Sequence, residues 1–501
     1  MSSGAQTRLA SAWERAALVV DEDSIELWDA DVVSDDPLGF TDTKPYRERL
    51  AEARERTGLG EAVLTGRATL DGRPLVIVAG EFGFLGGSVG VATSERIARA
   101  FERAVEQRLP LVALPASGGS RMQEGTLAVV GMAKLAAAAG RLRAAGLPYV
   151  VCLTDPTTGG ALASWGSLGS VTFALPGALL GFAGPRVVEL MTGAALPEGV
   201  QRAESLLAHG LIDDVVAPDE LRGRVGRVLS VAGARSAPAK RVAAASPEGI
   251  EGGDAWASLQ LARRLDRPGA SEVLASLADS VTKLRGDRAG HADDSACVAA
   301  LARVSGHPCV VVGQRRAADG APGAMNAAGY RKARRAMALA AELRLALVTI
   351  VDTPGAELSA EAEQGGLAGE IAGCLADMAA LPVPTLALLI GEGGSGGALA
   401  LLAADRVVVA EHASLGVIAP EGASAILHHD LDHAAELAAS QGGASWDLLA
   451  AGIADRLVPE PRPGAFLDDL GAIVSSELAA LTARDPSERL AARQARWRGI
   501  G

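Results

Sequence analysis

The chain has 501 residues, 49% of them hydrophobic and only 3% aromatic, with 60 glycines and a formal net charge of −13. Such a length points to two to four domains, and an apolar chain of small side chains favours tightly packed α/β layers over an aromatic-rich sandwich. The negative charge argues against a nucleic-acid partner, which needs a basic footprint.

From the N-terminus, no basic segment leads into a long apolar run, so no signal peptide is read and a cytoplasmic location is expected. The first 65 residues read as mainly helical, over 11–27 and over 46–62, where Gly58 and Gly60 are good helix stops. A buried strand is expected at Leu75–Ala79, a helix at Glu95–Glu106, a short strand at Leu111–Leu114, a helix at Met122–Ala145 and a strand at Tyr149–Leu153. That strand runs into DPTTGGALAS (155–164). The Gly/Pro-bearing stretch 234–254 reads as a linker. Beyond it the same order returns: strand Cys309–Val312, helix Tyr330–Glu342, strand Ala346–Val351, helix Glu363–Ala380 and strand Thr385–Ile390, which enters GEGGSGGALAL (391–401). Strand, glycine turn and helix in alternation imply parallel α/β layering.

The two halves also match in letters. DGRPLVIVAG (71–80) resembles SGHPCVVVGQ (305–314), and RLPLVALPASGG (108–119) resembles RLALVTIVDTPG (344–355). GGALA occurs at 159–163 and at 396–400, ALLGF (178–182) parallels ASLGV (413–417), and SLLAHGLIDDVV (205–216) parallels DLLAAGIADRLV (447–458). Five matches in the same order indicate a domain-sized repeat, with domains at 1–240 and 255–490.

The run from Leu381 to Ala404 carries one charge, Glu392, and is long enough to span a bilayer. Its glycine-rich centre would leave backbone groups unpaired in lipid. It reads instead as buried strand, turn and helix, with no membrane association. Cys152, Cys297, Cys309 and Cys374 stand singly, with no CxxC pair. They suggest neither zinc nor disulfides and read as small buried hydrophobes. His428, His429 and His433, in HHDLDH, read as a solvated helix face, not a metal site.

The two paired-glycine turns are the strongest chemical signal. Backbone N–H groups at a helix start lack intrahelical partners and carry the positive end of the helix dipole. Glycine lets a substrate approach them closely, so Gly159–Gly160 and Gly396–Gly397 are each suited to stabilise a developing oxyanion. The alternative is that the glycines only permit close helix–strand packing; two matched copies favour chemistry. No Walker loop and no evident nucleophile appears. The reading is therefore of a protein that supplies position and electrostatics to substrates that supply the reacting atoms.

LDGRPLVIVAGEFGFLGGSVG (70–90), PASGGSRMQEG (115–125), LTDPTTGGALAS (153–164) and LLGFAGPR (179–186) resemble the β subunit of bacterial acetyl-CoA carboxylase carboxyltransferase. GYRKARRAMALA (329–340), IVDTPGAE (350–357), IGEGGSGGALAL (390–401) and LGVIAPEGASAIL (415–427) resemble its α subunit. The order, β then α, is similar to the fused actinobacterial form and covers roughly residues 10–480. The resemblance implies two tandem crotonase-like ββα superhelical domains. It implies transfer of a carboxyl group from carboxybiotin to an acyl-CoA, most simply acetyl-CoA to malonyl-CoA for fatty-acid synthesis. By the same resemblance, Gly159 and Gly160 hold the thioester oxygen of the enolate and Gly396 and Gly397 the biotin ureido oxygen. Ser117, Gly118, Gly119, Arg121 and Gln123 line the acyl-CoA side, Thr353, Pro354 and Gly355 the biotin side. Arg331 and Lys332 are candidates for CoA phosphates, or else solvated helix charges.

The sequence departs from that pattern in three ways. The four-cysteine zinc ribbon of the β subunit is absent, so no zinc is expected. The segment after DTPGA differs, and Phe82 and Phe84 replace a polar–aromatic pair. No Met-Lys-Met biotin-attachment motif and no ATP loop occurs, so the biotin carboxyl carrier protein and the biotin carboxylase are expected as separate chains. A homo-oligomer with shared active sites is implied. Competing readings are a biotin-independent malonyl-thioester decarboxylase, a non-catalytic scaffold of the same fold, and a hydratase. The hydratase would need paired glutamates, whereas Glu124 stands alone in sequence beside the first turn.

Overall fold

The structure is a computed structural model describing residues 11–234, 236, 252–316, 323–460 and 463–500. The chain divides into two compact units, residues 1–230 and 231–501.

In the first unit the elements in order are α1 (Ala12–Ala17), β1 (Glu26–Leu27), α2 (Tyr46–Thr57), β2 (Val63–Leu70), β3 (Arg73–Gly80), α3 (Val91–Gln107), β4 (Leu111–Leu114), α4 (Gly125–Ala144) and β5 (Tyr149–Leu153). Then come β6 (Thr157–Thr158), the single turn α5 (Gly159–Ala161), β7 (Val171–Ala174), β8 (Leu180–Gly181), α6 (Pro185–Thr192), α7 (Ala203–Ala208), β9 (Asp214–Val215) and α8 (Pro218–Ala232). Seven strands form one sheet in the order β1-β2-β3-β4-β5-β7-β9. It is parallel from β3 to β9 and antiparallel from β1 to β3.

The antiparallel hairpin is an addition to the purely parallel layering expected. Asp71 and Gly72 turn β2 into β3 with φ of 51° and 73°. An Asp-Gly pair at positive φ suits the two-residue turn that matches strand twist. Helix α3 buries Ile97 and Phe101 against the sheet; Phe101 meets Tyr149 of β5 edge-to-face at 5.0 Å. Aromatic pairs in that arrangement gain about 0.5–1.5 kcal/mol beyond burial.

The N-terminal segment is less helical than its pattern suggests. Helix α1 ends at Ala17, and Asp21 is drawn to the hairpin turn, accepting from the N–H groups of Asp71 and Gly72. The following residues then pair as β1 with the edge of β2. Tertiary pairing overrides local helical pattern here.

The second unit repeats the plan. It contains α9 (Ala255–Ala262), α10 (Ala270–Leu277), β10 (Ala278–Lys283), β11 (Cys297–Val304), β12 (His307–Gln314), α11 (Ala327–Leu343), β13 (Ala346–Thr353), α12 (Ala360–Gln364), α13 (Leu367–Ala380), β14 (Thr385–Gly394) and α14 (Ser395–Leu402). β15 (Arg406–Ala410), β16 (Ser414–Gly416), α15 (Pro420–Leu427), α16 (Ala434–Ser440), α17 (Ser445–Ala450), β17 (Arg456–Val458), α18 (Pro463–Thr482) and α19 (Pro486–Gly499) complete it. The sheet order is β10-β11-β12-β13-β14-β15-β17, with β16 beside the end of β14. Ser305–Gly306 make the β11–β12 turn at φ 48° and 87°, the counterpart of Asp71–Gly72. Helices α3 and α11 each have 17 residues and each end on a left-handed arginine, Arg108 and Arg344.

The apolar run 381–404 is β14 and α14, and Leu386–Ile390, Leu401 and Leu402 are buried. Among the described residues one helical stretch, Met122–Ala144, is long and apolar enough to cross a membrane. The histidine cluster lies in the turn between α15 and α16 rather than on a helix face. His429 has φ 61°, His428 stacks on His433 at 4.0 Å, and His433 binds Asp430 at 2.9 Å. Its segment turns because Asp430 also takes the Ser424 hydroxyl and the Asp432 N–H. The four cysteines are free and buried, and burial raises their thiols, that of Cys297 to about 12.

Candidate active site

The first glycine turn sits where β6 meets α5. Ser117 N–H donates to Pro156 O (2.7 Å) and Thr158 N–H to Ser117 O (2.8 Å), which zips loop 117–119 to the turn. The Ser117 hydroxyl accepts from Gly119 N–H (3.0 Å) and bends the loop locally. Gly119 (φ 116°) then lies against the turn, so a Cβ on Gly159 (φ 57°) would sit 2.9 Å from Gly119 Cα. Gly159 is half-buried and Gly160 buried. As first-turn residues both carry N–H groups without an intrahelical acceptor. Gly118 N–H is spent on Gly86 O (2.8 Å). Gln123, half-buried, lies on the 3₁₀ turn before α4. The structure thus brings Ser117, Gly118, Gly119, Gly159 and Gly160 together.

The second unit builds the same device from different letters. The Thr353 hydroxyl accepts from Gly355 N–H (3.3 Å), as Ser117 does from Gly119. Gly355 has φ 144°. A Cβ on Gly394 would strike Pro354 O, and one on Gly397 would meet Ala356 N at 2.7 Å and Tyr330 Oη at 2.8 Å. Thr353, Pro354 and Gly355 therefore lie against the turn that contains Gly396 and Gly397. Gly396 is half-buried and the preceding Ser395 is exposed, so the start of α14 is open on one side.

Three charged residues expected at the ligand are committed elsewhere. Arg121 is fully buried and turned into the core, not towards the glycines. Its Nη2 binds Glu61 (2.6 Å) and its Nη1 binds Glu124 (3.2 Å) and the Ser34 hydroxyl (2.8 Å). Burial pushes the Glu61 carboxyl up, but Arg121 beside it outweighs that and holds it below its ordinary range. Tyr46 donates to Glu124 at 2.6 Å. Glu124 is therefore not alone: Glu61 shares its arginine. Both carboxylates are buried and bound by Arg121, however, and neither presents the free pair a hydratase needs. Arg121 acts as the floor that loop 117–120 rests on, with Arg121 N–H donating to Val89 O (3.0 Å).

Arg331 binds Asp287 (2.8 Å) and faces Glu370 (3.5 Å). Lys332 is buried, bound to Asp293 (2.6 Å) and to Cys297 O (2.7 Å). Of the two readings open from sequence, CoA phosphate ligands or helix charges, the structure shows both side chains paired with neighbouring carboxylates.

Other groups near the second turn had no signal in the sequence. Arg263, the residue that caps the C-terminus of α9, bridges Glu392 (2.7 Å) and Glu421 (2.6 Å), tying the end of β14 to the start of α15. Asp352, at the end of β13, is buried beneath Gly391; burial raises its carboxyl to about 6, against the attraction of Arg316 and Arg267. The folded chain thus keeps a proton on Asp352 to higher pH than the unfolded chain, whose ordinary value is 3.8. Between those values Asp352 makes stability fall as pH rises. Asp352→Asn is expected to flatten that section of a plot of Tm against pH. An unchanged slope between about pH 4 and pH 6 would show that Asp352 is ionised throughout.

Among the described residues no group of three or more His, Cys, Asp or Glu is placed to hold a metal ion. What the arrangement offers is two sets of uncharged backbone donors at helix starts, each beside a Ser- or Thr-bent loop.

Comparison with known proteins bears on what these turns serve. Residues 36–208 match the carboxyl transferase domain family, and residues 239–501 match the acetyl co-enzyme A carboxylase carboxyltransferase-like family. The chain is 49% identical over 488 residues to a Mycobacterium tuberculosis protein named probable biotin-dependent acyl-coenzyme A carboxylase beta3 subunit, covering 96% of this chain and 97% of that one. It is 44% identical over 528 residues to the acetyl-coenzyme A carboxylase carboxyl transferase subunits beta/alpha of Parafrankia sp., covering 98% and 86%. In fold it is similar to the crystal structure of a transcarboxylase 12S hexamer bound to methylmalonyl-coenzyme A and methylmalonic acid. The TM-score is 0.75 at 23% identity, over 95% of this chain and 90% of that one.

Proposed function

Because the chain belongs to the acetyl-coenzyme A carboxylase carboxyltransferase family, as the carboxyltransferase component of a biotin-dependent acyl-CoA carboxylase, we propose that its two glycine turns are the two oxyanion holes of the transfer. Gly159 and Gly160 donate to the thioester oxygen as negative charge develops there, and Gly396 and Gly397 donate to the ureido oxygen of biotin. Acetyl-CoA is the acyl substrate and malonyl-CoA the product. Carboxybiotin, delivered by a separate carrier protein and charged by a separate biotin carboxylase, supplies the carboxyl group and the base. The setting is the cytoplasm.

One observation carries this reading. In both units the second glycine of the pair is walled in, its Cβ coming within 2.6–2.8 Å of the nearest neighbouring atom, while the first is half-buried; Gly159 is pressed against Gly119 and Gly396 has free space beside it. The backbone is bare where a ligand oxygen would approach it. The second turn suits an uncharged ring: the atoms nearest a Cβ on Gly397 belong to Ala356, Tyr330 and Gly355, and none is ionised. Backbone donors held in a fixed array need no reorganisation when charge develops. Ser117 and Thr353 bend the facing loops, which orient the substrates and narrow water access.

We further propose that each active site is shared between chains. Each unit exposes large apolar side chains, including Met122 (80%), Phe182 (74%), Leu190 (84%) and Met191 (81%) in the first and Leu358 (95%) and Val417 (81%) in the second. Exposed apolar patches of this kind mark interaction surfaces. A chain carrying Gly160→Val mixed with a chain carrying Gly397→Val is expected to regain part of the activity in mixed oligomers, since one pairing keeps both turns intact. No recovery in verified mixed oligomers would place both turns of a site in one chain.

A further inference from the structure

The carbonyl of Gly397 receives two side-chain donors from distant elements. Gln314 Nε2, at the end of β12, donates at 2.7 Å, and Tyr330 Oη, in α11, at 3.1 Å. Both residues are buried, and the Gln314 amide also faces the Tyr330 phenol. The first unit does it otherwise. There the carbonyl of Gly160 receives the hydroxyl of Ser164, one helical turn on, at 2.6 Å. The positions matching Gln314 and Tyr330 in the repeat are Gly80, the last residue of β3, and Ser94, the fourth of α3. A side chain at Gly80 is shut out, because its Cβ would lie 2.5 Å from Ala116 N. The second unit alone has room for, and uses, a two-sided clamp.

A peptide carbonyl pinned from two directions fixes the rotation of the turn that bears it. That fixes where the neighbouring N–H groups aim, which is what an oxyanion hole requires of its backbone. We infer that Tyr330 and Gln314 are positioning residues for the Gly396–Gly397 donors. This rests on the reading of that turn as the hole for the biotin-side oxygen. Burial raises the Tyr330 phenol far above its ordinary range, so it stays a donor. Gln314 Oε1 is buried without a hydrogen-bond partner, so the amide is poorly satisfied as a structural group. Its short contact is the one from Nε2 to Gly397 O.

The test separates aim from stability. Tyr330→Phe keeps the ring and Gln314→Met keeps the volume, and each removes one donor. Two partial reactions are read on the full-length protein. One is loss of CO2 from free carboxybiotin without acyl-CoA. The other is loss of CO2 from the carboxylated acyl-CoA without biotin. Each variant is expected to lower kcat of the first roughly 3–10-fold, the equivalent of one neutral hydrogen bond, with KM and the second reaction unchanged. Gln314→Met is expected to keep or raise Tm, and Ser164→Ala should show the reverse pattern, harming the second reaction only. Equal loss in both reactions, or a loss tracking a fall in Tm, would make the pair structural. Normal decarboxylation of carboxybiotin in both variants, where Gly397→Val abolishes it, would overturn the clamp alone. Normal decarboxylation in Gly397→Val would instead remove the underlying assignment of the turn.

Discussion

Gly160→Val is expected to lose roughly 10²–10³-fold in turnover, about 3–4 kcal/mol, the cost of one oxyanion donor, while its Tm hardly moves. The first atoms its side chain meets are Ser120 Oγ at 2.6 Å and Met132 Sδ at 3.1 Å, both ends of side chains that can swing aside. Gly397→Val should lose as much but fold less well, because its Cβ meets backbone, Ala356 N at 2.7 Å. Gly397→Ala is the milder companion. Gly396→Ala separates the accounts: its nearest neighbour would be Ile371 Cγ2 at 3.7 Å, so it should fold normally, yet its methyl stands on the open side of the turn and activity is expected to fall. The two losses should differ in kind. Gly160→Val should impair loss of CO2 from the carboxylated acyl-CoA, and Gly397→Val decarboxylation of carboxybiotin. If the glycines serve packing only, both variants will be unstable with normal turnover per folded chain. Melting temperatures measured beside the two partial reactions decide between these accounts.

Arg121→Met should be the most destabilising single change in the first unit outside its apolar core. It leaves Glu61 and Glu124 buried side by side without their cation, and breaking such a pair costs about 3–5 kcal/mol. The pH dependence carries the signature. Without Arg121 the Glu61 carboxyl loses what holds it low, so burial raises it and the folded state takes up a proton. Stability then falls as pH rises. The deficit relative to the parent is expected to be largest at alkaline pH and to shrink on acidification towards about pH 5, near the ordinary carboxylate range. Adding Glu61→Gln and Glu124→Gln to Arg121→Met should recover part of it. A pH-independent deficit would mean that lost packing, not the uncompensated charge, is responsible.

Much of this chain was legible before any coordinates. Alternating apolar runs and glycine turns located three strands of each sheet, β3, β4 and β5 and β12, β13 and β14, because a buried parallel strand must be apolar on both faces. The hairpin turns Asp71–Gly72 and Ser305–Gly306 were also written in the letters. They become informative only once β2 and β11 are seen to pair beside them. The paired glycines stood out because a backbone surface must be bare for another chain segment or a ligand to approach it.

Sequence by itself thus determined the repeat, the strand–turn–helix plan, the two glycine turns and the family to which they belong, since these depend on local pattern and order. Tertiary structure decided what the charged and polar residues do. Arg121, Arg331 and Lys332 looked like ligands from the motifs that carry them, PASGGSRMQEG and GYRKARRAMALA. In the fold each is turned to a carboxylate brought from far along the chain, because a cation in or near a low-dielectric interior must be paired. Tyr330 and Gln314 carried no signal beside those charges, yet both reach Gly397. Their roles follow from which side chains the sheet and helices place within 3 Å or so of one carbonyl, and no spacing along the sequence encodes that distance.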